Sequence, residues 1–226
     1  MREPIDHGFG AAAMLLTVMA AIWSRVYCIS ELAASSGVSQ PAVSQFVQRA
    51  EIGGFLRRSP DGLRMVNHRE LLEDWSYAVK HRPPKSVPVR HLHGREPEDR
   101  FLSRIREYCK AGQHQSPVCI GSHLGCHLLG LGRSNNREMV LHVNGSIESI
   151  MNDLDLIPAS REQAQLRLVV PAFRSAVFNC CVTIEGLPVA DALQCYLDVR
   201  TSPARGREQA ETIYERVFMQ HFEGTG

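Results

Sequence analysis

The chain has 226 residues, 44% hydrophobic and 22% charged, with a formal net charge of +1. That length holds one large domain or two small ones, and the composition is that of an ordinary globular protein rather than a disordered or collagenous one. A charge so near zero excludes a general attraction to nucleic acid, so any such affinity must come from a local patch.

The first patterned stretch is the apolar run from Gly8 to Trp23, GFGAAAMLLTVMAAIW. It is shorter than the roughly 20 residues a bilayer span needs. Glu3 and Asp6 stand beside Arg2 ahead of it, unlike the positive lead of an export signal. The run reads as the first helix of an N-terminal domain, buried on more than one face, and no membrane partner is expected.

From Ser30 to Arg58 the sequence is SELAASSGVSQPAVSQFVQRAEIGGFLRR. Leu32 and Ala33 precede Gly37, and Val43, Phe46 and Val47 then recur at the i, i+3, i+4 spacing of one buried helical face. Ser39 is placed to cap the second helix with its hydroxyl, and Pro41 falls in the first turn, where no N–H is needed. A short helix, a tight turn at Gly37 and a second helix make a helix-turn-helix. The second helix keeps Gln40, Pro41, Ser44, Gln45 and Gln48 off its apolar face, beside Ser39. Gln and Ser can read base edges, Gln pairing with adenine, while Arg49, Arg57 and Arg58 can grip phosphates. The competing reading is a pair of amphipathic helices whose small polar residues face only water.

Leu56 to Val66 reads as strand, turn, strand, with Ser59-Pro60-Asp61-Gly62 as the turn. This hairpin carries Arg57, Arg58 and Arg64 against the single acid Asp61 and is expected to be a wing laid on the DNA backbone. Leu71, Leu72 and Trp75 give His68 to Lys80 helical spacing, which closes a winged helix-turn-helix domain at residues 1–82. HRPPKSVP, His81 to Pro88, contains three prolines, and residues 83–88 are read as a proline-rich linker.

Residues 89–226 alternate strands and helices, as an α/β domain with one sheet would. Strands are expected at Val89–His93, Pro117–Ile120, Met139–Val143, Gln165–Val170 and Val177–Ile184. Helices are expected over Pro97–Ala111, His123–Leu131, Leu187–Val199 and Arg207–Phe222. The overall fold class is therefore α+β.

Strand, Gly121-Ser122, helix is how nucleotidyltransferase domains begin. Such enzymes need two carboxylates, one residue apart on the next strand, to hold metal ions. That strand here offers His142 and Asn144 instead, and neither supplies the anionic oxygen magnesium prefers. Asp153 and Asp155 have the spacing but lie in SIESIMNDLDLIP, where a helix or turn splays them. The domain is read as nucleotidyltransferase-like in shape and degenerate, with no catalytic residue, cofactor or metal assigned. His123 and His127 share i, i+4 spacing beside Cys126, but HLGCH lacks the glutamate of a zinc-protease helix. The seven Cys are odd in number and form no CxxC pair, which suits reduced core thiols of a cytoplasmic protein.

The order of these parts resembles the AbiE-type (type IV) antitoxins and related winged-helix regulators. The resemblance is most specific in Leu187-Pro-Val-Ala-Asp-Ala-Leu-Gln-Cys-Tyr-Leu-Asp-Val-Arg200, in Ala204-Arg-Gly-Arg-Glu-Gln-Ala210 and in Val118-Cys-Ile-Gly-Ser122. It implies an autorepressor that binds inverted repeats in double-stranded DNA as a homodimer or as cooperative monomers. Its C-terminal domain would oppose a nucleotidyltransferase-type toxin. Base contacts would fall on Ser39, Gln40, Ser44, Gln45 and Gln48, and phosphate contacts on Arg49, Arg57, Arg58 and Arg64. Two other functions fit the same chain: a nucleotidyltransferase with relocated metal ligands, and a regulator whose second domain senses a small molecule.

Overall fold

The computed structural model describes residues 27–36, 38–81, 83–111, 117–133, 135–171, 174–203 and 205–219. The chain is mixed α+β and divides into two compact units, Met1–Pro83 with Glu215–Gly226, and Pro84–Tyr214. The expected helix at Gly8–Trp23 lies outside the described residues. No helix among them is long and apolar enough to cross a membrane.

In the first unit, α1 (Ile29–Ser36) and α2 (Gln40–Ile52) precede a hairpin of β1 (Leu56–Ser59) and β2 (Gly62–Met65), and α3 (His68–His81) follows. Of the apolar positions read from the sequence, Leu32, Val43, Phe46, Val47, Leu72 and Trp75 are buried, and Leu63 of the hairpin joins them. Each such side chain contributes about 1.5–3 kcal/mol when fully removed from water. Pro41 occupies the first turn of α2, but Ser39 makes no side-chain cap. Ser36 serves the turn instead, its hydroxyl donating to the Leu32 carbonyl at 2.6 Å and accepting from the Val38 N–H at 3.3 Å. Gly54, at φ 77°, ends α2 in the left-handed region, which lets the Phe55 N–H reach back to the Ala50 carbonyl at 2.8 Å. The pairing of Tyr27 was not foreseen. Tyr27 bridges Leu63 of β2 through two backbone bonds of 3.0 and 2.8 Å.

The second unit is built on a seven-stranded mixed sheet. Its strands are β3 (Lys85–His91), β4 (Val118–Gly121), β5 (Met139–Val143), β6 (Leu156–Pro158), β7 (Leu166–Val170), β8 (Val182–Ile184) and β9 (Leu187–Val189), in the order β6-β3-β7-β5-β4-β9-β8. The helices are α4 (Glu98–Lys110), α5 (Ser122–Leu128), α6 (Ile147–Asp153), α7 (Arg174–Asn179), α8 (Ala192–Thr201) and α9 (Gly206–Ile213), which continues with π-helical spacing over Tyr214–Met219. Alternation sorts the strands: Val118, Ile120, Leu141, Val143, Leu166 and Leu168 join Phe101 and Ile105 of α4 and Ile150 of α6 in one core. Cys119, Gly121 and His142 face the opposite side, toward Asp198 of α8. With both faces covered, every residue of β5 is buried.

Several boundaries differ from the expectation. The connector is shorter than residues 83–88, because Lys85–Pro88 already run in β3, paired with Val170–Arg167 of β7. The Pro88 carbonyl accepts from the Ala159 N–H at 3.0 Å, so its ring nitrogen points to the β6 side, where pairing starts only at Val89. Val177–Ile184 is helix then strand. Leu187–Val189 is strand rather than the start of a helix, because Glu185 and Gly186, both at positive φ, turn β8 into β9 as a two-residue hairpin loop does. The helix starts only after Asp191, whose carboxylate caps it by accepting the Gln194 N–H at 2.8 Å. Finally, residues from Glu215 onward group with the first unit rather than with 89–226.

Candidate functional site

The apolar stripe of α2 turns inward, so the opposite face is fixed in water. Gln40, Pro41, Ser44, Gln45 and Gln48 are all exposed, as is Ser39 just ahead of them. With no cap to make, the Ser39 hydroxyl is left to the outside. Arg49 is half-buried in the last turn, where a cation is favoured by the helix dipole.

The hairpin separates its three arginines. Arg57 and Arg64 are direct cross-strand partners, so their side chains leave the same face, and both are exposed. Among the described residues neither has a carboxylate partner. Like charges placed directly opposite one another destabilise a hairpin by some tenths of a kcal/mol. Arg58 belongs to the other face with Leu56 and Leu63. Its Nε and Nη2 donate to Oε1 and Oε2 of Glu51 at 3.2 and 3.3 Å. That bidentate pair ties the hairpin to α2 and neutralises the cation, so Arg58 stands apart from the other two. The tip is Pro60-Asp61, closed by the Ser59 hydroxyl donating to the Gly62 carbonyl at 3.0 Å.

In the second unit, Ser122 sits at the sharp passage from β4 to α5 with φ 59°. A residue with a side chain pays about 1–3 kcal/mol for that conformation unless its surroundings hold it. Asp198 does so. Its Oδ2 accepts the Ser122 N–H at 3.0 Å and pairs with His142 Nε2 at 2.9 Å, while its Oδ1 accepts from Gln194 Nε2 at 2.8 Å. One carboxylate on α8 thus joins β4, β5 and α5. A methyl on Gly121 would overlap that same carboxylate and the His142 ring. The Ser122 Oγ and His142 Nδ1 are buried without a hydrogen-bond partner among the described residues. Asp153 and Asp155 separate as expected. Asp155 binds Arg104 at 2.9 Å, and Asp153 accepts from the Ser149 hydroxyl at 3.5 Å.

All seven cysteines are free. Cys119 is pushed well above the usual thiol range by donating a hydrogen bond to Cys181 and by burial, and Cys195 is raised by its hydrogen bond with Cys126 and by burial. Asp191 is raised to about 6 by burial, and His68 is lowered to about 4 by burial. His123 and Cys126 are buried, and among the described residues no three His, Cys, Asp or Glu side chains converge as a metal ion would require.

The sequence singled out the exposed row on α2 and the Gly121-Ser122 turn. It missed Asp198 as the hub of the second unit, although Gln194 and Asp198, four residues apart on one helix, carried the signal. No family model matches the chain, and no curated protein or solved structure matches it.

Proposed function

We propose that the protein is a sequence-specific DNA-binding regulator whose first unit is a winged helix-turn-helix. The observation that carries this reading is the exposed, unneutralised pair Arg57 and Arg64, held side by side on a two-stranded hairpin beside a helix whose outer face is Ser, Gln and Pro. Such a like-charge pair is unfavourable in isolation and becomes favourable when an anionic rail lies against it. Tyr27, bridged to Leu63, adds a backbone contact to the free side of β2. On this reading α2 enters the major groove, Gln45 and Gln48 read base edges, and Arg57 and Arg64 hold the backbone.

The second unit serves as a nucleotidyltransferase-like, non-catalytic domain that binds a partner, as a type IV antitoxin does. Its Gly-Ser turn leads to a fully buried Ser122 rather than to an open phosphate cradle, and His142 occupies the strand where metal-binding carboxylates belong. Both features favour binding over transfer chemistry.

The test is a gel shift of the full chain on its own upstream promoter across a salt series. Each phosphate contact contributes a slope of about −0.9 in log affinity against log salt. A steep negative slope with preference for one promoter segment is expected. Affinity that ignores both salt and sequence refutes the proposal.

A further inference from the structure

A cleft of ≈ 600 Å³ opens in the Pro84–Tyr214 unit, at the end of the sheet where β3 finishes and β5 and β7 begin. That size falls within the roughly 300–1,000 Å³ of small-molecule sites. Its wall is mixed and more polar than apolar, with Phe101, Met139 and Leu166 forming an apolar floor. Most of the surrounding charge is already matched within the protein. Glu98 meets Arg137 at 3.1 Å, and Glu138 meets Arg167 at 3.1 Å and the Ser202 hydroxyl at 2.8 Å.

Two exposed lining groups of opposite sign make no close ion pair among the described residues: Arg95, in the loop between β3 and α4, and Glu162, in the turn before β7, which has only the adjacent Arg161 as a nearby positive charge. Hydrogen bonds from its own backbone N–H and from Ser160 hold the Glu162 carboxyl below the usual carboxylate range, so it stays ionised near neutral pH. Glu96 adds a second acceptor. Its Oε2 is committed inward to Arg104 at 3.0 Å, whereas Oε1 has the largely exposed Arg100 at 3.4 Å. A purely anionic guest would satisfy Arg95 and be repelled by Glu162, and a purely cationic one would suffer the reverse. A guest carrying both charges on a small apolar body satisfies both ends and covers the apolar floor.

We propose that this cleft binds a free amino acid with an apolar or aromatic side chain. Its carboxylate rests on Arg95, its ammonium on Glu162 and Glu96, and its side chain on Phe101, Met139 and Leu166. The inference goes beyond the DNA-binding reading and does not depend on it, because every residue involved belongs to one unit.

The experiment is a thermal-shift and calorimetric titration of the full chain, without DNA, with leucine, methionine and phenylalanine. The matched amine and the matched carboxylic acid of each are run as separate arms. A guest that binds only the folded protein raises the melting temperature. The expected result is saturable binding of at least one amino acid, with its amine and its acid at least tenfold weaker. Arg95→Ala and Glu162→Gln should each weaken binding at least tenfold while leaving the melting temperature of the ligand-free protein unchanged, since both side chains are exposed. The proposal is overturned if none of the three amino acids binds at millimolar concentration. It is equally overturned if the amine or the acid binds as well as the parent, or if both variants bind normally.

Discussion

On α2 and its hairpin the polar side chains point away from the protein: Gln40, Ser44, Gln45, Gln48, Arg57 and Arg64 are all exposed. In the sheet unit the comparable side chains point inward, with Ser122 at 0% and His142 at 1% exposure, gathered around Asp198. Exposed groups without internal partners cost little to keep and are available to another molecule. Buried groups gain by being spent on one another, because an unpaired polar atom in the interior costs about 1–3 kcal/mol. The Ser122 N–H and His142 Nε2 are so spent on Asp198, whereas the Ser122 Oγ and His142 Nδ1 are not. Polar residues in the first region are therefore free for the recognition role proposed above, and in the second they serve architecture.

The hardest test of that contrast is Asp198→Ala. It strands His142, the Ser122 N–H and Gln194 at once, and each buried hydrogen-bonding group left without its partner costs about 1–3 kcal/mol. Urea unfolding followed by hydrogen exchange should show the loss confined to amides of the sheet unit. An unchanged midpoint would mean that the cluster is ornamental.

Acid should then move the two regions in opposite directions. Asp191 binds its proton more tightly folded, at about 6 against 3.8, so its contribution is full below 3.8 and fades as pH rises through 6. His68 prefers to be neutral when folded, at about 4 against 6.5, so its contribution is full above 6.5 and is lost as pH falls through 4. Between pH 7 and 5 these groups stabilise the sheet unit and weaken the helical one. NMR titration of the His68 ring, with amide exchange at both pH values, reads both responses.

Removing Arg57 and Arg64 together should lower DNA affinity by about ten- to a hundredfold and make the salt slope shallower by about two. The melting temperature should stay level or rise slightly, because a like-charge pair has gone. Loss of binding accompanied by loss of stability would instead place these cations in the architecture. Gln45→Ala should cost about 1–3 kcal/mol of discrimination at one base pair, read by binding to a library of single-base operator variants. Smallest is Arg58→Ala. Its exposed pairing with Glu51 supports about 0.2–1 kcal/mol of stability, so a slight fall in melting temperature with near-normal DNA affinity is expected.

Periodicity made the first unit legible, because Val43, Phe46 and Val47 declare one buried stripe and so fix which residues face water. The same pattern could not separate Arg57 from Arg58, since their fates depend on strand register and on Glu51 across the turn. In the sheet unit, Met139–Val143 was readable as a continuous apolar run. The second hairpin was not, because Leu187-Pro188-Val189 looks like the approach to a helix until Glu185 and Gly186 are seen in left-handed conformations. The cleft lay beyond sequence reading altogether. Arg95 and Glu162 are distant in the chain and meet one lining only through the β3–β7 pairing.

Pro88 has one more consequence. Along Lys85–Val87 strand β3 has a strand partner only on the β7 side among the described residues, and on the other side the ladder toward β6 opens with the Ala159 N–H on the Pro88 carbonyl. An imide nitrogen has no hydrogen to return to Ala159, so a proline is tolerated where that ladder begins and would not be farther in. The ring that in the sequence marks a connector is thus the first rung of a strand, bonded on that side through its carbonyl alone.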